Sequence, residues 1–401
     1  MEIAFFTDSY LPTHDGVATV VSGLARALGR AGHGVTVFAP HPDAGAPPDH
    51  TVIDGVPVIR SRSVPLPVYT GYRWAVFPFG QLWGERFGRR FDVVHVHTPG
   101  IMGNTGYLAA RRWRKPLVGT YHTNVFAMQE SFPDRTSVRW FLRIAWIWTL
   151  GTYWRCDRAT APTAAAAETL ESHARKPFDP PVEVIPNGIE VDRFRPGIAV
   201  PDWRTRCGLP TGPLVTYLGR LTRDKGVHRF LDAVATLDRP DAGAVVGGSG
   251  PEEGAVRARI ATDPRLRDRV RFLGPVAETE KPALLAQSDL FVLPSTADTS
   301  SIALLEAMAS GAACIASDEG GPGEIVVDGV LGRRVPVRSP GPLAAAIQEL
   351  ADDPATRQRY GAAGRAFVAR TASIDTTAQR FIALYDVVRA GRRTVDRRHA
   401  A

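Results

Sequence analysis

Asp298 and Glu306 stand eight residues apart, on either side of the polar stretch Thr299-Ser300-Ser301. An ionised carboxylate accepts several hydrogen bonds from neighbouring hydroxyls, so two of them together suit a polyhydroxylated ligand. A sugar nucleotide carries such hydroxyls on both its ribose and its hexose. Two cations, Arg220 and Lys225, stand five residues apart in Gly219-Arg220-Leu221-Thr222-Arg223-Asp224-Lys225-Gly226. The fork of Arg220 and the point charge of Lys225 suit a diphosphate, and a departing diphosphate needs that neutralisation most. Gly247-Gly248-Ser249-Gly250-Pro251 follows, where Gly248 and Gly250 let a ligand approach the backbone closely. At Leu273-Gly274-Pro275, backbone groups are placed to read a nucleobase.

These residues act together only if the chain brings them to one edge of a sheet. The apolar run Leu290–Leu293 predicts a buried parallel strand, and Ile302–Ala309 a helix capped by Ser300 or Ser301. Asp298 then lies in the strand-to-helix loop and Glu306 more than a turn into the helix. That carboxyl edge is where open α/β sheets bind ligands. Further strands are expected at Leu214–Leu218, Gly243–Val246 and Val270–Leu273, with the Arg220–Lys225 loop after the first of them.

The first half repeats the alternation, with strands at Ile3–Phe6, Val35–Ala39, Asp92–His97, Leu117–Tyr121, Arg158–Ala161 and Val182–Ile185. A helix from about Val17 to Arg30 places Gly16 at its entrance, where free N–H groups favour anions. The loop carries no G-x-G-x-x-G fingerprint, which disfavours a nicotinamide enzyme. His122 ends its strand facing the ligand edge, where it can hydrogen-bond a hexose or the acceptor; the plainer alternative is a bond to local backbone. His95 and His97 straddle Val96 without an evident third ligand, so no metal site is read there. The aromatic stretch Trp140–Trp154 is apolar on most sides and reads as a buried helix. Its alternative is a membrane-facing helix flanked by Arg139, Arg143 and Arg155.

The 401 residues exceed one ordinary core, so two domains are expected. The domains are read as 1–195 and 214–374, joined by a proline-rich linker at 196–213, with 375–401 a C-terminal helix. Cys156, Cys207 and Cys314 have no paired spacing, which excludes a cysteine metal site and fits a reducing compartment. The first residues form a strand, not a signal peptide, and no uncharged apolar run reaches membrane-span length. A cytoplasmic protein is expected, with peripheral contact at the inner membrane face as an option. The net charge of +7 reads either as a solvated arginine-rich surface or as attraction to anionic lipid or a diphosphate. No recognised nucleic-acid motif accompanies it.

Taken in order, these segments resemble the family 4 retaining glycosyltransferases of the GT-B fold. The matching pieces include Phe6-Thr7-Asp8 to Gly16-Val17, Gly119-Thr120-Tyr121-His122-Thr123 and Ile185-Pro186-Asn187-Gly188-Ile189-Glu190. They continue through Gly219–Gly226, Gly248–Pro251, Pro294–Gly311 and Gly320–Val326. The resemblance implies an α/β protein of two Rossmann-like doubly wound parallel-sheet domains facing across a deep cleft. It implies a nucleotide-sugar donor held mainly by the second domain, retention at the anomeric carbon, no cofactor and no essential metal. Carried over, Arg220 and Lys225 hold the diphosphate, Glu306 the ribose and Asp298 the hexose. The Ser300–Ile302 backbone, including Ser301, lies beside the sugar, Gly16 approaches the phosphates, and His122 supports the transferred hexose. Tyr10, Asp15 and Asn187 are placed on the acceptor side.

Two departures stand out. The first acid, usually glutamate, is the shorter Asp298, and Ser300-Ser301 replaces the frequent Phe-Gly. The expected activity is transfer of a hexose from a UDP- or GDP-linked donor to a lipid or lipid-linked acceptor. The alternatives are the same chemistry on a soluble acceptor, or a weakly catalytic paralogue that only binds nucleotide sugars.

Overall fold

The computed structural model describes residues 1–13, 15–65, 73–76, 88–123, 136–198, 205 and 207–400. The chain divides into two compact units. One takes Met1–Phe126, Asp134–Gly188 and Ile374–Ala401, the other Ile189–Ser373.

The first unit is built on β1 (Glu2–Phe6), β2 (Gly34–Pro40), β3 (Asp49–Ile53) and β4 (Val56–Ser61). It continues with the short pair β5 (Ser63–Pro65) and β6 (Arg73–Ala75), then β7 (Val93–Val96), β8 (Leu117–Thr120), β9 (Arg158–Ala161) and β10 (Glu183–Val184). Eight of these form one sheet in the order β10-β9-β8-β7-β1-β2-β4-β3. All neighbours in it run parallel except β3 and β4, an antiparallel hairpin turning at Asp54-Gly55. Both turn residues have positive φ, 50° and 79°, which is what a two-residue hairpin turn needs. The chain runs outward from β1 on one side and resumes at β7 on the other, so the switch point lies between β1 and β7. Helix α1 (Gly16–Arg30) follows β1, α2 (Ile101–Trp113) follows β7, α3 (Thr136–Trp154) precedes β9, and α4 (Ala164–Ser172) follows it.

The second unit is an all-parallel sheet of β11 (Leu214–Leu218), β12 (Gly243–Gly247), β13 (Val270–Gly274), β14 (Leu290–Leu293), β15 (Ala313–Ser317) and β16 (Gly332–Val335). Its order, β13-β12-β11-β14-β15-β16, puts the switch point between β11 and β14. Val215 and Tyr217 pack on one face with Phe230 and Leu231, while Leu214 and Leu218 pack on the other with Phe291 and Leu304. Such two-faced burial is why these strands read as continuous apolar runs. The helices that matter for the site are α5 (Val227–Ala235), α6 (Lys281–Ala286), α7 (Ile302–Ala309) and α8 (Gly320–Ile325).

The last helix, α9 (Ile374–Ala400), returns to the first unit. Its Ile374, Ala378, Phe381, Leu384, Tyr385 and Val388 join Phe5, Val21, Leu24 and Leu28 in one apolar cluster. Tyr385 also shares a 2.7 Å hydrogen bond with His95 Nδ1 on β7.

Several expectations need correction. The change of unit falls between Gly188 and Ile189, ahead of the stretch 196–213, and Leu209 within that stretch is buried in the second unit's core. Part of that stretch lies outside the described residues. Helix α3 is not buried all round. Trp146 and Tyr153 enter the core, but Trp140, Ile147 and Trp148 are 68%, 60% and 56% exposed. Helix-period packing can bury only one face against a sheet, and here the opposite face is apolar too.

Candidate functional site

The C-terminal ends of β11, β12, β13 and β14 carry the residues that the sequence singles out, and backbone contacts weld their loops together. Leu221 N–H donates to Ser249 O at 2.9 Å, Gly219 N–H to Gly247 O at 3.1 Å, and Gly248 N–H to Gly274 O at 2.7 Å. Gly248 and Gly250 have φ of 138° and 157°. A Cβ on Gly248 would lie 1.8 Å from Gly219 O, and one on Gly250 2.5 Å from Leu221 O. Only glycine fits where two loops approach so closely. The close approach serves the Arg220 loop directly, whatever else it does for a ligand.

Gly226, at φ 72°, plays the same part on the other side, since a Cβ there would meet Pro294 O at 2.2 Å. Thr296 N–H donates to Asp224 O at 2.9 Å, and the Tyr217 hydroxyl donates to the Arg220 and Lys225 carbonyls at 3.2 and 3.3 Å. This docking delivers the Lys225 ammonium onto Asp298 Oδ1, to which it donates. Burial disfavours the Lys225 charge, but Asp298 and Asp224 outweigh it and raise its pKa, so the ammonium is held charged. Asp298 Oδ2 is buried with no hydrogen-bond partner. Arg220 is half-buried on the same loop.

Glu306 lies on α7, whose N-cap is Ser301: its Oγ accepts from Leu304 N–H at 3.3 Å. Ser300 and Ile302 flank that cap, half-buried, and Ile302 packs on the core. A Cβ on Gly321 of α8 would lie 2.1 Å from Thr299 O, so this loop too is pinned from behind. The Glu306 carboxylate is 1% exposed. Oε1 accepts from Lys281 Nζ at 3.4 Å; Oε2, also 3.4 Å from that ammonium, has no hydrogen-bond partner. Burial pushes the Glu306 carboxyl up to about 7 although Lys281 pulls it down. Leu273 sits on β13, partly buried against the same apolar cluster, with its backbone at the sheet edge.

In the first unit the switch-point loops converge on Asp8. Its carboxylate accepts from Thr98 Oγ1 at 2.5 Å and from Met102 N–H at 2.9 Å, so the loop after β1 caps the start of α2. Asp15 caps α1: Oδ1 accepts from Ala18 N–H at 2.8 Å and Oδ2 from the Ser9 hydroxyl at 2.5 Å. Both oxygens of that carboxylate are thus engaged within the loop, and Gly16 is exposed at the helix entrance. Tyr10 is buried beneath the Arg60 guanidinium, and burial raises its hydroxyl to about 12. Asn187 is buried just before the chain leaves the unit.

His122 follows β8, and its Nε2 shares a 3.2 Å hydrogen bond with His97 Nδ1, the rings stacked. Burial lowers the His122 pKa to about 4 and that of His97 well below its ordinary value, so both are neutral. His95 is structural, bridging Tyr385 and Thr120 at 2.7 Å each. Among the described residues no group of three or more His, Cys, Asp or Glu side chains is placed to hold a metal ion.

The structure therefore gathers Arg220, Lys225, Gly248, Gly250, Asp298 and Ser301 in one set of interlocked loops, with Glu306 on the helix that follows. His122, Gly16, Tyr10, Asp15 and Asn187 belong to the other unit. Sequence reasoning missed Lys281, Glu278 and Arg193 around Glu306, and Asp8 with Thr98. Lys281 follows the acidic pair Glu278 and Glu280 and reads as a solvated helix start. For Asp8 a signal existed, because a carboxylate directly after a buried strand at a switch point has orphan N–H groups nearby.

A family model described as glycosyl transferases group 1 matches residues 201–367, and one described as glycosyltransferase family 4 matches residues 14–193. A GDP-mannose-dependent alpha-mannosyltransferase of Mycolicibacterium smegmatis is 33% identical over 374 residues, 92% of this chain and 94% of that protein. A phosphatidyl-myo-inositol mannosyltransferase of Mycobacterium tuberculosis is 29% identical over 381 residues, 88% of this chain and 89% of that protein. Sucrose-phosphate synthase from Thermosynechococcus elongatus superposes with a TM-score of 0.78 at 23% identity, covering 97% of this chain and 99% of that one.

Proposed function

The chain belongs to the family 4 glycosyltransferases of the GT-B fold, and we propose that it is a retaining, metal-independent hexosyltransferase acting on a lipid or lipid-linked acceptor. The observation that carries the reading is the pair of buried, unpartnered carboxylate oxygens, Asp298 Oδ2 and Glu306 Oε2. A buried acceptor without a donor is costly, and ligand hydroxyls are the donors that would complete it. With the ribose on Glu306 and the hexose on Asp298, the diphosphate between them meets Lys225 and Arg220. Mannose from GDP-mannose is the first donor to try, because the relative from Mycolicibacterium smegmatis is named for it.

In the proposed step the bond between the anomeric carbon and the diphosphate oxygen breaks. The acceptor oxygen bonds that carbon on the same face, and the acceptor proton passes to the leaving diphosphate. The protein supplies no nucleophile in this scheme. Its contribution is the stabilisation of charge growing on the diphosphate by Arg220 and Lys225. For the first unit the proposed roles are His122 at the transferred hexose, as a neutral hydrogen-bonding group, and Gly16 at the phosphates. Tyr10 and Asn187 remain assigned to the acceptor side, whereas Asp15 acts there through the loop that it caps.

A lipid acceptor is supported by the mannosyltransferase named for phosphatidyl-myo-inositol and by the outer face of α3. That face joins Trp140, Ile147, Trp148 and Trp154 to exposed Arg143 and Arg155, with no acid anywhere in the helix, and suits an anionic bilayer surface. The deciding experiment is transfer from GDP-mannose, UDP-glucose and related donors to a lipid extract and to soluble sugars, with excess EDTA. An α-linked lipid product from an α-linked donor supports the proposal. A β-linked product, or activity lost to the chelator and restored by a divalent cation, rejects it, and transfer confined to soluble sugars rejects the acceptor class.

A further inference from the structure

We propose that Lys281 is a positioning residue for donor recognition: its ammonium keeps the buried Glu306 carboxylate ionised and oriented to accept from the ribose hydroxyls of a nucleoside diphosphate. The inference rests on the ribose reading of Glu306 and assigns it a partner outside the sequence motif.

The geometry is specific. Helix α7 contributes one charged group, Glu306, and α6 contributes one, Lys281, and these two helices pack together. The ammonium lies 3.4 Å from both Glu306 oxygens and 2.6 Å from Glu278 Oε1. Glu278 also faces Arg193 at 3.1 Å, and Arg193 lies 3.6 Å from Glu190. The charges around Glu306 are therefore Lys281 at contact, Glu278 opposing it, and Arg193 beyond Glu278. Glu306, Glu278 and Glu190 each face a cation, so Glu278 does not draw Lys281 away from Glu306 altogether. Removing Lys281 would leave Glu306 buried against a second carboxylate, and it would then take up a proton near neutrality. A protonated carboxyl accepts more weakly than a carboxylate, so ribose recognition would fade with it.

The test is binding of GDP, with UDP alongside, to the full chain by calorimetry between pH 6 and 9. The 2′,3′-dideoxy nucleotide serves as control, because the titration of the diphosphate cancels in the ratio of the two affinities. For the unaltered protein that ratio should fall as pH drops through about 7. In Lys281→Met the fall should move up by at least about one pH unit, which costs about threefold or more in the ratio at pH 7.5. Lys281→Arg should restore the original profile. If Lys281→Met unfolds, the double variant Lys281→Met/Glu306→Gln removes both charges and should bind ribo- and dideoxynucleotides alike. A Lys281→Met ratio that matches the unaltered protein at every pH, while Glu306→Gln lowers it, overturns the inference alone. A ratio untouched by Glu306→Gln overturns the ribose reading itself.

Discussion

A diphosphate that binds Lys225 must share it with Asp298, whose Oδ1 already accepts from that ammonium. Removing the carboxylate charge therefore has two opposite effects. Asp298→Asn should tighten the free nucleoside diphosphate by a few fold, on the order of 0.5 to 1 kcal/mol for a partly solvated charge, while slowing hexose transfer. Weaker diphosphate binding in this variant would contradict the shared-lysine arrangement. Arg220→Ala should act mainly on turnover, lowering kcat by about a hundred- to a thousandfold, the cost of losing one donor to developing negative charge. At this scale the sequence already displayed Asp298, Glu306, Arg220 and Lys225, because acids and cations between apolar runs have few structural uses. Their partners were not legible. Nothing in the spacing says that Lys225 meets an acid 73 residues later, or that Lys281 reaches across 25 residues to a helix interior.

The same division holds for the elements. Fully buried strands such as β11 and β14 announce themselves as unbroken apolar runs, and Leu214–Leu218 and Leu290–Leu293 have the expected bounds. The β3–β4 hairpin escaped notice although its Asp54-Gly55 turn is a strong hairpin signal; the exposed β3 lacks the apolar run that flags a strand. The interlocked loops make a sharp prediction. Gly248→Ala places a methyl against Gly219 O and should displace the Arg220 loop. It should lower the melting temperature and abolish tight GDP binding together, by several kcal/mol in total strain. Retained GDP affinity would show that the loop contact does not set Arg220. Helix α3 is ambiguous from sequence because buried and lipid-facing surfaces use the same residues. Trp148→Ala with Ile147→Ala should cut sedimentation with anionic vesicles severalfold and leave that with neutral ones weak. Unchanged sedimentation would remove the bilayer from the reading.

Across the whole molecule the buried titratable groups pull stability in opposite directions. His95, His97 and His122 are held neutral by burial, with lowered pKa values. Their contribution is complete above about pH 6.5 and is lost as pH falls through the folded values, about 4 for His122. Glu306 has a raised value, so its burial favours folding at low pH and opposes it as pH rises from about 4.5 towards about 7. The histidines belong to the first unit and Glu306 to the second. Between pH 7.5 and 5 the first unit should lose protection against hydrogen exchange sooner than the second; equal loss would refute the assignment. The return of α9 to the first unit has a further consequence, in the order of synthesis. The ribosome releases Phe5, Val21 and Leu24 early, yet the apolar surface they share is completed by Phe381 and Tyr385, made after the entire second unit. A nascent chain must therefore carry an unfinished first unit, in need of chaperone cover, until its final helix emerges.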